Sequence, residues 1–267
     1  MDLNAENYFS PEMNQEYMSN SQYKDFLNCE ARAMATIRGE WNPEPSNEML
    51  VGSMIHAWNE GPEALAKFKA ETPRMFKKNG EPLASFAFAD TMIEALKNDT
   101  ICSYMLEGEK EVIMTTELFG APWKIKVDSY KPDDSIVDLK TTKSIWDLQW
   151  SSYYQSKVSF IEIYKYFTQF AIYMEVERLA HGRDTWLSPY IVAVSKENPP
   201  DKAVIDLTDD IRIQYELNQI EMNMPRILAV KSGITEPKKC GRCAYCRSVK
   251  KVNDIISYRD IGQEVDQ

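Results

Sequence analysis

Two aspartates and a lysine in the stretch VDSYKPDDSIVDLK, residues 127–140, have the types and spacing for metal-assisted chemistry on a phosphate ester. The run KPDDS is turn chemistry between two strand-like segments. A turn centred on Asp133 puts Asp128 and Asp138, each five residues away, opposite one another. Directly opposed side chains on one face of a hairpin have Cβ atoms about 5 Å apart, so both carboxylates can reach one divalent cation. Lys140, two residues past Asp138, projects from the same face. Facing like charges destabilise a hairpin unless a cation such as magnesium neutralises them. A metal held there would polarise a phosphodiester and lower the pKa of a bound water, leaving Lys140 to position the nucleophile or offset developing negative charge. An exposed polar hairpin face accounts for the same residues, and the same register sets Lys126 against Lys140, which argues for a bulge or a one-residue slip.

Strands and helices around the hairpin would have to hold these groups. EVIMTTELF, WKIKVDSY and SIVDLKT form a three-strand meander from Lys110, with Gly120 and Pro122 in the first turn. Two more strands follow around WLSPYIVAVS and KAVIDL, separated by the turn segment ENPPD. Ser19, Asn20 and Ser21 are N-cap candidates for a helix with Tyr23, Phe26, Leu27, Met34 and Ile37 at helical spacing; it carries Cys29 and ends at Gly39. Asn47 caps a second helix in which Gly52 and His56, four apart, share a face. Ser159 and Glu162 make a capping box for a helix running to about Ala180, and Thr208 caps a last one to about Val230. The order implies an α/β (α+β) fold, a central mixed sheet flanked by helices.

At 267 residues, 43% hydrophobic and 27% charged, the chain suits a soluble globular enzyme of one large domain or two small ones. No apolar run approaches the roughly 18 residues of a membrane span, and MDLNAENYFS lacks the pattern of a signal peptide, so a cytoplasmic location away from membranes is expected. A net charge of -10 argues against a protein that coats nucleic acid. Between Arg226 and Lys251, however, eight basic residues stand against Glu236 alone, a local excess of seven. A solvated surface or tail explains such a run as well as a DNA-binding face does. Five cysteines, three of them within seven residues, suit thiolate ligands in a reducing compartment better than a disulfide framework.

Gly52-x-x-x-His56, Asp128, Asp138-Leu139-Lys140 and Gln169-x-x-x-Tyr173 occur in that order. The ordered set resembles the RecB-like nucleases of the PD-(D/E)XK superfamily, and within it the RecE-type phage and prophage exonucleases. The resemblance implies that His56, Asp128 and Asp138 bind the metal, that the Leu139 carbonyl adds a ligand, that Lys140 is catalytic, and that Gln169 and Tyr173 shape the site near DNA. Glu117, on the strand before the hairpin, is a further candidate ligand, although strand-edge polarity explains it equally. Alone, His56 reads as a core histidine, and Gln169 with Tyr173 as helix packing. The domain implied is a single nuclease unit over 1–267, with a helical lobe at about 57–107, a catalytic core at about 108–207 and a C-terminal helix and cysteine staple at 208–251. The activity implied is a magnesium- or manganese-dependent exodeoxyribonuclease on linear double-stranded DNA, in recombination or repair. Such relatives often form homo-oligomeric rings and work beside a single-strand annealing protein. A non-catalytic DNA-binding or scaffolding protein on the same fold is the alternative.

Cys240-x-x-Cys243-x-x-Cys246 has the tight spacing of a four-iron, four-sulfur cluster; one zinc, around which such close thiolates would crowd, and no metal at all are the alternatives. Resemblance to AddB-type and CRISPR-associated nucleases, in which one cysteine precedes the Gly-x-x-x-His motif and three follow Gln-x-x-x-Tyr, implies Cys29 as the fourth ligand. Those relatives show a wider gap before the last cysteine. Cys102 reads as a small buried hydrophobe.

Overall fold

In a computed structural model, describing residues 2–252, 255 and 257–260, the chain forms one five-stranded mixed sheet covered on both faces by helices. The helices before the sheet are α1 (Pro11–Glu16), α2 (Asn20–Asn28), α3 (Glu30–Ile37), α4 (Asn47–Glu60), α5 (Pro62–Glu71), α6 (Ala84–Lys97) and α7 (Thr100–Leu106). Strands β1 (Glu109–Leu118), β2 (Ala121–Lys131) and β3 (Ser135–Thr142) follow. A small ribbon, β4 (Gln149–Ser151) and β5 (Ser156–Val158), leads to α8 (Phe160–Ile163) and α9 (Tyr166–His181). The chain returns through β6 (Ser188–Ser195) and β7 (Lys202–Asp206) to α10 (Asp210–Lys231) and α11 (Ala244–Ser248). The sheet order is β1-β2-β3-β6-β7, with β3 and β6 parallel and every other neighbour antiparallel.

Local sequence explains the meander. Phe119 and Gly120 both take positive φ, 50° and 79°, the two-residue turn whose twist matches its flanking strands. Pro132, Asp133 and Asp134 close the next hairpin, with Asp133 left-handed at φ 64°. Period-two alternation then sorts β3 between two cores. Ile136 joins Trp123, Ile125 and Val127 beneath α2, α3, α9 and α10, whereas Val137 and Leu139 join Val192 and Val194 beneath α4, α6 and α7. The helices of residues 57–107 thus cover the second face of the sheet, and Cys102 is buried among them.

Three elements differ from the sequence reading. The first helix breaks at Cys29, whose extended backbone (φ -168°, ψ 105°) separates α2 from α3 and turns its thiol out of the helical run. The helix expected from Ser159 to Ala180 breaks at Lys165, left-handed at φ 54°; Ser159 makes no side-chain cap bond, and the Glu162 carboxylate bonds to Tyr154 and Arg212 instead of closing a capping box. The β4–β5 ribbon was not expected. Among the described residues, no helix is long and apolar enough to cross a membrane.

Candidate active site

The β2–β3 hairpin has the anticipated register, with Lys131 opposite Ser135, Tyr130 opposite Ile136 and Ser129 opposite Val137. The ladder stops there, one pair short of Asp128 and Asp138. Asp128 fills the gap itself: its Oδ2 accepts the Leu139 N–H at 2.8 Å, and its Oδ1 lies 3.3 Å from His56 Nδ1. The conflict between Lys126 and Lys140 disappears without a slip, because Lys126 pairs with Glu111 and Lys140 with Asp138. A strand residue sends its N–H and C=O to the same edge, so the Leu139 carbonyl also points into this gap.

Glu111 is a site residue that sequence reasoning missed. Its neighbours Lys110 and Val112 pair with Ser129 and Val127, but Glu111 itself takes φ 53° and leaves the ladder facing Asp128. Positive φ at a non-glycine residue costs about 1–3 kcal/mol and persists where surrounding structure imposes it. His56, Glu111 and Asp128 thereby offer ligand atoms that all lie within 4.8 Å of one another. Gly52 allows this: a Cβ there would stand 3.3 Å from Thr141 Oγ1, so the glycine lets α4 lie close on β3 and carries His56 to Asp128 one turn later. Glu117 is not brought to the site. It is exposed and opposite Pro122 at the other end of β1, six residues from Glu111, about 20 Å along a strand.

Asp138 adjoins the three-ligand set. It is buried, its Oδ1 accepts a 2.6 Å hydrogen bond from Gln169 Nε2, and its Oδ2 lies 2.6 Å from Lys140 Nζ without an aligned hydrogen bond. Gln169, itself buried, therefore orients the acid and does not face solvent. Tyr173 is half-buried, with Tyr8, Asp138, Asp128 and Glu111 as its ionisable neighbours; burial first, then their charge, holds its hydroxyl protonated. Lys140 sits 5.3 Å from the ring centre of Tyr166. Lys24, also missed, donates to the Tyr164 carbonyl at 2.9 Å, and burial followed by the charge of Lys140 pushes its ammonium down to about 7.

Electrostatics separate the two aspartates. Burial would raise both. At Asp128 the charge and hydrogen bond of His56 overcome it and hold the carboxyl at about 2. At Asp138 burial wins, reinforced by Asp128 and restrained by Lys140, and the carboxyl is raised. Lys140 is raised despite burial because Asp138 faces it. The carboxylates of Asp128 and Glu111 and the imidazole of His56, with the buried carboxylate of Asp138 beside them, form a donor set that fits a divalent cation.

Cys29, Cys240, Cys243 and Cys246 converge, all four sulfurs within 4.8 Å of one another. Cys29 and Cys246 are 3.5 Å apart, Cys240 and Cys246 3.9 Å. The Cys243 N–H points at Cys240 Sγ and the Cys246 N–H at Cys243 Sγ, as in a loop wrapped on thiolates. A tetrahedral ion with bonds of about 2.3 Å sets its ligands about 3.8 Å apart. A cubane binds each thiolate at a different iron and needs them wider. Cys102 lies elsewhere, on the buried face of α7. Part of the basic stretch is structural: Arg226 is paired with Glu30, and Lys231 turns inward to the Tyr17 carbonyl, where burial pushes it down to about 8.

A mixed sheet with this acid, acid and lysine placement defines the PD-(D/E)XK nuclease fold, and the chain belongs to the family described as a PDDEXK-like domain of unknown function (DUF3799), which matches residues 19–249. Its structure is similar to the crystal structure of a protein from Eubacterium rectale named "Putative exonuclease", with a TM-score of 0.93 and 40% identity over 99% of this chain and 100% of that one. A second solved chain, SSO0001, aligns at a TM-score of 0.27 and 14% identity over 77% of this chain and 87% of that one, too low to bear on the fold. No curated protein matches.

Proposed function

We propose that this chain is a magnesium- or manganese-dependent deoxyribonuclease, an exonuclease acting on linear double-stranded DNA in recombination or repair. The observation that carries the reading is the convergence of His56, Glu111 and Asp128 beside the Asp138–Lys140 pair. His56, Glu111, Asp128 and the Leu139 carbonyl would hold the ion, whose contribution is to polarise the scissile phosphate and acidify water. Asp138, fixed by Gln169, keeps Lys140 charged and aimed across the site. The Lys140 ammonium offsets charge that develops on a phosphate oxygen, in a partly dry setting where one such contact is worth several kcal/mol.

The four thiolates are proposed to hold a metal staple between α2–α3 and the C-terminal segment. Their separations favour one tetrahedral ion, zinc, over the four-iron cluster that the cysteine spacing suggests.

Incubating the purified protein with linear and closed circular duplex, with and without magnesium, tests the activity. Linear DNA should be degraded only with metal and circles should survive, while Asp138→Ala and Lys140→Ala abolish cutting. A wild type inert on every substrate in both magnesium and manganese would refute the assignment.

A further inference from the structure

The segment between the proposed catalytic strand β3 and helix α9 carries aromatic side chains whose rings are exposed. Trp146, Trp150 and Tyr153 are 75%, 61% and 75% exposed, and Tyr154 and Tyr164 are exposed too, all within nineteen residues. A two-stranded ribbon of three residues per strand has no core of its own and gains nothing by presenting such rings to water. A cluster of this kind marks a binding surface, whereas scattered apolar residues would not.

The rings are held and are interleaved with cations. The Trp146 indole N–H donates to Asp201 at 2.8 Å, pinning the ring's edge while leaving it exposed. Trp150 and Lys157 are register partners across the ribbon. Lys165 lies 5.8 Å from the ring centre of Tyr153, which packs edge-on against Tyr154. Tyr164 stands 5.9 Å from Tyr166, the ring that touches Lys140. Among the described residues Lys143, Lys157 and Lys165 form no ion pair with a carboxylate, whereas Glu162, the acid nearest them on α8, is neutralised by Arg212.

Exposed aromatic faces alternating with unpaired lysines are the chemistry of single-strand binding: bases stack on the rings and phosphates meet the ammonium groups. A duplex has no free base faces to offer, and a protein partner would select against lysine at the centre of its contact. We propose that the β4–β5 ribbon and Tyr164 form a stacking track that takes one unpaired DNA strand to the site at Asp138 and Lys140. The proposal rests on the nuclease reading for its direction, and its binding chemistry stands apart from catalysis.

Fluorescence anisotropy of a labelled oligothymidylate of about twelve nucleotides, in EDTA so that nothing is cut, tests it. The wild type should prefer this probe to a blunt duplex. The double variant Trp150→Ala, Tyr153→Ala should lose about 30-fold or more in affinity, as expected from removing two stacking rings. Lys157→Gln with Lys165→Gln should flatten the salt dependence, and Tyr104→Ala, an exposed ring on α7, should change nothing. Quenching of wild-type tryptophan emission by the oligonucleotide gives a readout independent of how any variant folds. Equal affinity of the aromatic double variant and the wild type, or no quenching on binding, overturns the track. A wild type that binds the probe through these rings and cuts nothing would sink the nuclease reading and leave the track standing.

Discussion

Replacing Gln169 with leucine keeps the side-chain volume and removes the 2.6 Å donor from a buried carboxylate, Asp138. A hydrogen bond to a charged group contributes about 1.5–3 kcal/mol. For a domain of this size, at about 2–4 °C per kcal/mol, the metal-free variant should melt about 3–12 °C lower. The pH dependence carries the sign. The Asp138 carboxyl is already raised by burial, and losing a donor to its ionised form raises it further. The variant's deficit should be full at alkaline pH, where wild-type and variant carboxylates are both ionised, and should vanish as acid protonates them. Thermal melts in EDTA across pH measure this, and the acid limb of the nuclease pH profile should move up with it. An equal deficit at every pH, or none, would refute the claim that Gln169 acts by holding the ionised acid.

Glu111→Gln should weaken manganese binding by about tenfold or more in calorimetry, while Glu117→Gln leaves it unchanged. The stabilisation from Asp128, depressed to about 2 mainly by His56, is present above the usual carboxylate value near 4 and is lost as pH falls from about 4 to about 2; acid melts of metal-free His56→Ala should lack that transition. Gly52→Ala should be nearly neutral in stability, since helix propensity offsets the 3.3 Å approach to Thr141, while Gly52→Val should push α4 off β3 and cut activity far more than melting temperature. Cys29→Ser and Cys246→Ser should each lower bound metal by elemental analysis and destabilise the fold, and Cys102→Ser should leave metal content intact. Zinc without visible absorption is expected; a brown protein with iron and sulfide would reverse that assignment.

The hairpin register was legible because KPDDS marks its turn and the flanking strands alternate, and Gly52 with His56 was legible from helical spacing. Where pairing ends was not legible, since the carboxylate that replaces the ladder at Leu139 is a tertiary event. Glu111 and Glu117 share parity on β1, so alternation admits either, and only distance along the strand and the positive φ of Glu111 choose between them. The breaks at Cys29 and Lys165 carry no glycine or proline; thiol convergence accompanies the first. The β4–β5 ribbon escaped notice because each strand is three residues long and its turn, SSYYQS, also lacks glycine and proline.

Anomalous diffraction from crystals grown with manganese tests the centre of the account most directly. The peak should lie among His56, Glu111 and Asp128 and disappear in Asp128→Asn. An empty position there in a wild-type protein that degrades DNA, or an ion bound elsewhere, would contradict it.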